Sequence, residues 1–279
     1  MRGSARQIAM TAPIRLAIHG ASGRVGQLLL GELRQDPRFV VIAALVRAAS
    51  ALCGTPVDGS PLRYQSEWPI FSEPIFSEPD FSGPGSIGPV LSASEPFDLI
   101  IDFSLPEALD QVLLAAQRSG AALVSGTTGL TPQQQHQLSE FAQRGRVLWA
   151  SNFSLGAAVL AELSTQARRL LPAQFDAAVL EAHHKQKLDA PSGTALSLGK
   201  ALSAVDGINP EYASVRAGRI VGEHTEYLAG PYERLELTHR ADDRRVFAYG
   251  ALAAGAWLVG QPPGQYTVRD WLFSGVTRQ

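Results

Sequence analysis

The stretch PIRLAIHGASGRVGQLLLGELRQ, residues 13–35, decides the fold of this chain. It starts with an apolar run of strand length at 14–19, continues through closely spaced glycines, and ends with leucines at helical spacing. A second run of strand length, FVVIAALV, follows at 39–46. The order strand, glycine turn, helix, strand predicts a β-turn-α-β unit, which is the repeating unit of parallel α/β sheets.

Outward from this unit, strand-like and helical runs continue to alternate. FDLIIDFS at 97–104, AALVSGTTGL at 121–130 and VLWASNFS at 147–154 have the length and apolar content of buried strands. Helical patterns that begin at Pro106 and at the N-cap Thr131 separate them. This alternation predicts an α/β fold with a Rossmann-like, doubly wound parallel sheet.

The second half of the chain has a different pattern. A helix predicted over 155–171 leads to the strand-like run DAAVLEAHH at 176–184, and a further helix is predicted to start near Ser192. Three strand-like runs between 212 and 241 then follow one another, and a long helical pattern spans 244–260. Strands that cluster in this way predict a second, α+β domain with a mixed sheet.

These patterns divide the chain into two domains and an insertion. The first domain is predicted to comprise 1–154 and 262–279, because chain termini often lie close together, and the second to comprise 155–261. Residues 52–95 are rich in Pro, Ser and Gly and repeat PIFSE twice in succession. Prolines remove donors from a strand ladder, so we expect a surface insertion there, either an expanded loop or a proline-rich partner motif.

Composition excludes several classes of protein. The 279 residues include 24 basic and 26 acidic ones, a formal net charge of −2, so neither nucleic acid nor an anionic membrane is an expected partner. No apolar run reaches the roughly 18–20 residues that a membrane helix needs. The single cysteine, Cys53, excludes an internal disulfide framework and is typical of a reducing cytoplasm, where we expect the protein to reside.

The glycine turn predicts a dinucleotide site. GASGRVG has glycines at 20, 23 and 26, a G-x-x-G-x-x-G variant of the dinucleotide fingerprint between a strand and a helix. Missing side chains let the backbone approach a pyrophosphate, and the helix N-terminus meets its negative charge. The predicted cofactor-binding residues of this turn are Gly20, Ala21, Ser22, Gly23, Arg24, Val25 and Gly26.

The end of the second strand bears on the choice of cofactor. NAD-binding proteins usually place a carboxylate there to bind the ribose hydroxyls, whereas this chain has Val46 followed by Arg47. An arginine can form a fork onto a 2′-phosphate, so the sequence favours NADPH, with NADH possible. The alternative is that Arg47 is a solvated surface residue.

Three short motifs follow the predicted strands of the first domain. Ligands of open α/β sheets bind along the carboxyl edge of the strands, and small residues there allow a nicotinamide ring to lie close to the backbone. The alternative is that these motifs are ordinary turns. The predicted cofactor-binding residues in them are Asp102, Phe103, Gly126, Thr127, Thr128, Ser151, Asn152 and Phe153.

EAHHKQKLDAPSGTAL, residues 181–196, predicts the second site. On a strand the two adjacent histidines point to opposite faces, and no ligand follows at metal-binding spacing, so no metal site is expected. One histidine facing a cleft suits a general acid, because its unperturbed pKa is near 6.5. A purely structural histidine is the alternative.

The turn after these histidines predicts an anion site. The free amides of Ser192, Gly193 and Thr194 begin a helix, and Lys187 supplies a nearby cation. An ordinary capped helix start beside a solvated lysine is the alternative. A hydride source, a proton source and an anion clamp together indicate reduction of a polarised C=C or C=N bond in a small carboxylate.

These motifs resemble one enzyme family over nearly the whole chain. EAHHKQKLDAPSGTA is similar to the E-x-H-H-x-x-K-x-D-A-P-S-G-T-A signature of 4-hydroxy-tetrahydrodipicolinate reductases, also called dihydrodipicolinate reductases. GASGRVG, DFS, GTTG, SNFSLG and VRAGRIVGEHTEY followed by ERLELTHRA occur in the family's order. Another two-domain NAD(P)-dependent oxidoreductase of an amino-acid-derived carboxylate, or a non-catalytic dinucleotide sensor, are the alternatives.

The resemblance implies an activity and roles for the site residues. It implies NAD(P)H-dependent reduction of a small cyclic dicarboxylate in the diaminopimelate route to lysine, and a homotetramer built through the sheet of the second domain. It implies that residues 155–261 form a substrate-binding and oligomerisation domain beside a dinucleotide-binding domain. It assigns proton donation to His183, a catalytic role to Lys187, and the carboxylates of the substrate to His184, Ser192, Gly193 and Thr194.

The chain departs from the family pattern in three places. The acidic ribose ligand common in the family is Val46 here, which favours NADPH. The 52–95 segment is longer than the family leads us to expect. The segment 203–218 is shorter than the glycine-rich loop of many relatives, so the lid or the subunit interface is expected to differ.

Overall fold

The computed structural model describes residues 12–69 and 96–274. Its strands are β1 (Ile14–His19), β2 (Phe39–Leu45), β3 (Tyr64–Gln65), β4 (Leu99–Asp102), β5 (Ala122–Ser125), β6 (Arg146–Trp149), β7 (Asp176–His183), β8 (Glu211–Arg216), β9 (Gly222–Ala229), β10 (Arg234–Ala241) and β11 (Gly264–Tyr266). Its α-helices are α1 (Arg24–Leu33), α2 (Leu109–Ser119), α3 (Pro132–Phe141), α4 (Leu155–Leu170), α5 (Gly193–Asp206), α6 (Arg245–Leu258) and α7 (Val268–Phe273). A 3-10 turn, Pro106–Ala108, precedes α2.

The first sheet has seven strands in the order β11-β6-β5-β4-β1-β2-β3, and all of its pairs are parallel. This confirms the predicted doubly wound sheet. Strands β2 and β3 lie on one side of β1, and β4, β5, β6 and β11 lie on the other. The strand order therefore reverses between β1 and β4. Open α/β sheets bind ligands outside the carboxyl ends of the strands at such a reversal, which is where the glycine turn lies.

Helix α6 lies within the range expected for the second domain, 155–261, but packs on the first. It lies against α1 and the strands β4, β5 and β6 of the first sheet, not within the second domain. Two glycines make this close packing possible: a Cβ at Gly250 would clash with the carbonyl oxygen of Phe153, and one at Gly255 would lie 2.5 Å from the Leu99 side chain. Neither α6 nor any other helix in the described ranges is long and apolar enough to cross a bilayer.

The first part of the predicted insertion belongs to the sheet. Residues 64–65 form the edge strand β3, which pairs with β2, and Val57 and Tyr64 are buried in the core of the first domain. The expectation of a surface insertion is therefore wrong for 52–69, because an edge strand tolerates the nearby prolines that a central strand would not. Residues 70–95, with most of the PIFSE repeat, lie outside the described residues.

The second sheet has four strands in the order β10-β9-β7-β8. The pair β7–β8 is parallel and the other two pairs are antiparallel, so the sheet is mixed, as predicted. Helices α4 and α5 pack together on one face, where Val179, Ala195 and Leu228 are buried. The strand β7 ends at His183, so its carboxyl end and the start of α5 meet on that helix-facing side.

Candidate active site

The glycine turn after β1 has the geometry of an anion cradle. Gly20 has a φ of +78°, and a Cβ there would lie 2.3 Å from the carbonyl oxygen of Phe103. A Cβ at Gly26 would lie 2.3 Å from the carbonyl oxygen of Gly20. Helix α1 begins at Arg24 with Gly23 as an N-cap that provides no side-chain hydrogen bond. The first-turn amides of α1 are therefore free to bind an anionic ligand.

Two arginines stand beside this turn. Arg24 and Arg47 are both exposed, and neither forms an ion pair with another residue of the described ranges. Val46, at the predicted ribose position, is buried with 5% of its surface exposed. The end of β2 thus offers a ligand a cation and no carboxylate.

Asp102 organises the loops at the carboxyl edge of the first sheet. Its buried carboxylate accepts hydrogen bonds from Ser125 Oγ at 2.9 Å and Thr127 Oγ1 at 2.7 Å, and lies 2.9 Å from His19 Nδ1. Burial alone would raise the pKa of Asp102, but its hydrogen bonds, led by that of His19, outweigh this effect and lower it. The Asp102 side chain thus holds three strand ends in place. His19, which lies directly opposite Asp102 in the β1–β4 register, was not assigned a role from the sequence.

The GTTG and SNFS motifs are held by aromatic packing. The ring of Phe103 leaves no room for a Cβ at Gly126, and it packs edge-on against Phe153 at 5.7 Å between centroids. Phe153 is 1% exposed, whereas Thr128 and Ser151 are exposed at the cleft. Ligand contacts of these residues remain predictions, with Thr128 and Ser151 as the exposed members.

Asn152 connects the two predicted sites. Its Nδ2 donates to Thr194 Oγ1 at 3.0 Å, and its Oδ1 accepts from the backbone N–H of Ser154 at 2.7 Å. His184 is close to charged groups from both parts of the chain. Burial lowers the pKa of this histidine, and the nearby guanidinium groups of Arg244 and Arg24 lower it further. The cofactor turn and the predicted anion site therefore face each other across one cleft.

His183 ends β7 and is buried, with 7% of its surface exposed. Its Nδ1 lies 2.5 Å from Glu181 Oε2, and Glu181 is fully buried. Burial lowers the pKa of His183, and the hydrogen bond and charge of Glu181 oppose that effect without cancelling it. On the other side of the ring, Gly222 keeps Nε2 clear, since a Cβ there would lie 3.1 Å from that atom.

Arg216 on β8 fixes the ionised state of Glu181. It donates two hydrogen bonds to Glu181, at 2.9 and 2.7 Å, and a third to the backbone oxygen of Asp189. Burial would raise the pKa of Glu181, but the hydrogen bonds from Arg216, Ser214 and His183 outweigh it and bring the pKa to about 2. A carboxylate that is ionised and hydrogen-bonded to Nδ1 stabilises an imidazolium on His183.

Glu181 and Arg216 were not assigned a role from the sequence. The spacing E-x-H places Glu181 and His183 on the same face of a strand, and this signal alone could have linked them. Arg216 carries no such signal, because its contact joins positions 35 residues apart.

The anion site already holds a carboxylate of the protein. Lys187 Nζ lies 2.9 Å from Asp189 Oδ2, and the backbone N–H of Gly193 also donates to Asp189. Burial would raise the pKa of Asp189, but the hydrogen bond and charge of Lys187 and the backbone donors lower it. Lys187 and the Gly193 amide thus hold the carboxylate of Asp189, an internal partner that sequence analysis missed, and the binding of a ligand anion there stays a prediction.

Ser192 caps α5 and contacts a further histidine. Its Oγ accepts from the backbone N–H of Ala195 and lies 3.2 Å from Nε2 of His224. His224 is buried and packs edge-on against His183 at 5.2 Å between ring centroids. Burial lowers the pKa of His224 to about 4, so this ring is neutral at physiological pH. Within 12–69 and 96–274, no group of three or more His, Cys, Asp or Glu residues is arranged to hold a metal ion.

Comparison with known proteins identifies relatives of both domains. A family model described as dihydrodipicolinate reductase, N-terminus, matches residues 14–153, and one described as dihydrodipicolinate reductase, C-terminus, matches 156–272. The 4-hydroxy-tetrahydrodipicolinate reductase of Stenotrophomonas maltophilia strain K279a is 46% identical over 260 residues, covering 93% of this chain and 98% of the relative. The enzyme of the same name from Xanthomonas euvesicatoria pv. vesicatoria strain 85-10 is 44% identical over the same shares.

A solved structure shares the fold. Dipicolinate-bound dihydrodipicolinate reductase from Paenisporosarcina sp. TG-14 superposes with a TM-score of 0.68 at 20% sequence identity, covering 91% of this chain and 97% of that one. At this identity the likeness supports the two-domain architecture alone.

Proposed function

The chain belongs to the dihydrodipicolinate reductase family, and we propose that it catalyses NAD(P)H-dependent reduction of 4-hydroxy-tetrahydrodipicolinate to tetrahydrodipicolinate in lysine and diaminopimelate biosynthesis. The observation that carries this proposal is the hydrogen bond from Asn152 to Thr194, which joins the cofactor loops to the anion site. A hydride donor and a proton donor must reach the same double bond, so a reductase needs both sites on one cleft.

We propose that the glycine turn holds the cofactor pyrophosphate. The close approach of Gly20 and Gly26 to neighbouring backbone and the uncapped start of α1 support this role. When bound, NAD(P)H supplies a hydride. Thr128, Ser151 and Asn152 are proposed to contact its nicotinamide half, since Asn152 hydrogen-bonds to Thr194 and Thr128 and Ser151 are exposed at the carboxyl edge of the sheet.

His183 is proposed to supply the proton, from Nε2. Glu181 occupies Nδ1, so Nε2 is the atom left to face a ligand. In the free protein, burial disfavours the charged ring. A dianionic substrate bound beside it would favour the imidazolium, so we propose that substrate binding charges the acid that it needs.

The substrate carboxylates are proposed to bind at the start of α5. Lys187 and the Gly193 amide already hold the Asp189 carboxylate, which supports their suitability for a ligand of the same chemistry. Ser192, Thr194 and His184 complete the proposed set. Asp189 would have to leave for a carboxylate to enter, and its side chain, 57% exposed, is free to swing into solvent.

The test of the activity is oxidation of NADPH by freshly prepared substrate, followed by nicotinamide absorbance and by identification of the product. We expect oxidation that depends on both the protein and the substrate. Cofactor binding without oxidation would instead support a dinucleotide sensor.

We further propose that NADPH is preferred over NADH. Support comes from the buried Val46 and from Arg47, which is exposed just after β2 and has no ion pair within the part of the chain that the structure describes. Parallel assays with the two cofactors should give a higher kcat/KM for NADPH, and Arg47→Ala should lower only that value. Equal losses with both cofactors would remove Arg47 from the 2′-phosphate site.

A homotetramer in the cytoplasm is the proposed working form. One face of the second sheet, which includes Leu180, Val215, Thr225, Tyr227 and Thr238, is turned away from α4 and α5. Light scattering should give four times the mass of one chain. A monomeric mass at assay concentration would contradict this proposal and leave the proposed reaction standing.

A further inference from the structure

The helix-facing side of the second sheet carries two glutamate–histidine pairs with the same spacing. Glu181 and His183 lie two residues apart on β7, and His224 and Glu226 lie two residues apart on β9. The antiparallel register sets Glu181 opposite His224 and Val179 opposite Glu226. The four side chains therefore run in order from the cleft, at His183, into the core, at Glu226.

The second pair is buried and has unsatisfied polar atoms. Glu226 is 1% exposed and His224 is 3% exposed. Both carboxyl oxygens of Glu226 and Nδ1 of His224 are buried and have no hydrogen-bond partner among the described residues. Such atoms are costly unless they are paired.

The geometry of β7 indicates how β9 can satisfy its own pair. Residues two apart on a strand are separated by about 6.6 Å, and Glu181 covers that separation to reach Nδ1 of His183 at 2.5 Å. Glu226 faces the same side of β9 as His224 and has the same reach. A rotated Glu226 side chain would have to span the same separation to bring a carboxyl oxygen to Nδ1 of His224.

We infer that Glu226 is a positioning residue for Ser192: its protonated carboxyl donates to Nδ1 of His224 and thereby fixes the tautomer in which Nε2–H donates to the Ser192 hydroxyl. The inference rests on the proposed role of Ser192 as a ligand of a substrate carboxylate. It assigns a function to a residue that lies outside the glycine turn and the E-x-H-H motif.

The tautomer of His224 decides what Ser192 can offer the substrate. A hydroxyl has two acceptor sites and one donor. Ser192 Oγ accepts from the Ala195 amide, and in the proposed tautomer it also accepts from His224 Nε2. Its own O–H is then left unused and is free to donate to a ligand in the anion site. In the opposite tautomer that O–H is spent on Nε2.

Glu226 is neutral under the conditions in which this arrangement must work. Burial raises its pKa to about 8. Tyr212 lies near enough for the charge of Glu226 to raise its pKa, after burial. The titratable and charged groups on the elements packed around Glu226 are the following. Strand β7 carries Glu181 and His183, β8 carries Tyr212, β9 carries His224 and β10 carries His239. Lys187 follows β7, and Arg168 of α4 is paired with Asp206 of α5. None of them offers Glu226 the cation that Arg216 offers Glu181.

The experiment measures binding of dipicolinate, a planar dicarboxylate, to the full-length protein saturated with NADP⁺ at about pH 7. Glu226→Leu removes the donor to His224 and should weaken binding about tenfold, the effect of one lost hydrogen bond to a charged group. Glu226→Gln keeps an N–H donor and should restore binding to within about threefold. Ser192→Ala should weaken binding as Glu226→Leu does, and the double variant should be no weaker than Ser192→Ala.

The pH dependence of binding gives a second measurement, which compares the wild type with Glu226→Gln. As Glu226 loses its proton above about pH 8, dipicolinate binding to the wild type should weaken, and binding to Glu226→Gln should not follow it. Equal affinity in wild type and Glu226→Leu, or equal weakness of Leu and Gln variants, would overturn the inference. A wild type that binds dipicolinate and reduces substrate leaves the proposed function intact in that case, whereas one that does neither overturns both.

Discussion

Glu181 and Glu226 lie on neighbouring strands, face the same side of the same sheet and are equally buried, yet Glu181 is ionised and Glu226 is neutral at physiological pH. The pKa of Glu181 is about 2, and that of Glu226 is about 8. The difference is a cation: Arg216 donates two hydrogen bonds to Glu181, whereas neither carboxyl oxygen of Glu226 has a hydrogen-bond partner among the described residues. In a site without water, burial raises the pKa of a carboxyl, and a specific partner such as an arginine is needed to lower it instead.

This contrast gives the two histidines different chemistry. An ionised carboxylate can only accept, so Glu181 takes the proton-bearing Nδ1 of His183 and favours the imidazolium. A neutral carboxyl can donate, so Glu226 suits a histidine that stays neutral, as His224 does with a pKa of about 4. In the proposed mechanism, one face of the sheet thus carries both the histidine that gives the proton and the histidine that orients the Ser192 hydroxyl.

Removing the proton donor should have the largest effect. His183→Gln is expected to lower kcat by roughly 10²–10⁴, the contribution of a positioned general acid. Steady-state assays with NADPH measure it, and His136→Gln, at an exposed position on α3, is the matched control. A loss of less than threefold would show that another group supplies the proton.

Neutralising the ionised member of the comparison should have the next largest effect. Glu181→Gln removes the charge that favours imidazolium on His183, so kcat should fall about 10- to 100-fold, the range for a hydrogen bond to a charged group. Because the Glu181 charge raises the pKa of His183, the alkaline fall of kcat should move to lower pH. Glu140→Gln on α3 is the control. An unshifted pH profile would separate Glu181 from the acid.

Replacing the neutral member should instead stabilise the protein. The pKa of Glu226 is about 8 in the folded protein, compared with 4.5 for a free glutamate side chain. Between those values the unfolded chain loses the proton and the folded one keeps it, so stability falls as pH rises through this window and the cost is absent below it. Glu226→Leu should thus gain a few kcal/mol relative to wild type at pH 8 but not at pH 4.

Urea denaturation of both proteins at the two pH values measures this difference. Glu226→Gln is the matched control, because it removes the titration and keeps a hydrogen-bonding side chain. The same gain at both pH values would mean that packing rather than ionisation separates Glu226 from Leu. In that case the ionisation of Glu226 would not account for the difference in stability between the wild type and Glu226→Leu.

The strands of the first sheet could be predicted from the local sequence pattern. The hydrogen bonds and ion pairs of Glu181 in the second sheet could not. The glycine turn and the strand runs follow from sequence periods and punctuation, whereas the pairing of β11 with β6 is known only from the structure. Helix α6 is largely apolar, so its pattern fits either domain, and the close contacts of Gly250 with Phe153 and of Gly255 with Leu99 explain why it packs on the first sheet. The partners Glu181–Arg216 and Glu181–His224 depend on cross-strand register between distant segments, which single-sequence reasoning does not supply.

Asp189 adds a third carboxylate to the comparison, exposed where the other two are buried. Its bond to Lys187 at 2.9 Å must break for a substrate carboxylate to enter, and an exposed ion pair is worth only about 0.2–1 kcal/mol. Asp189→Asn should therefore lower the KM for substrate by no more than about fivefold, with kcat unchanged. Asp58→Asn, which also breaks an exposed pair with an arginine, is the matched control. A KM that rises would show that Asp189 orients Lys187 for the substrate rather than competing with it, and would assign this carboxylate to the same supporting role that Glu181 has for His183.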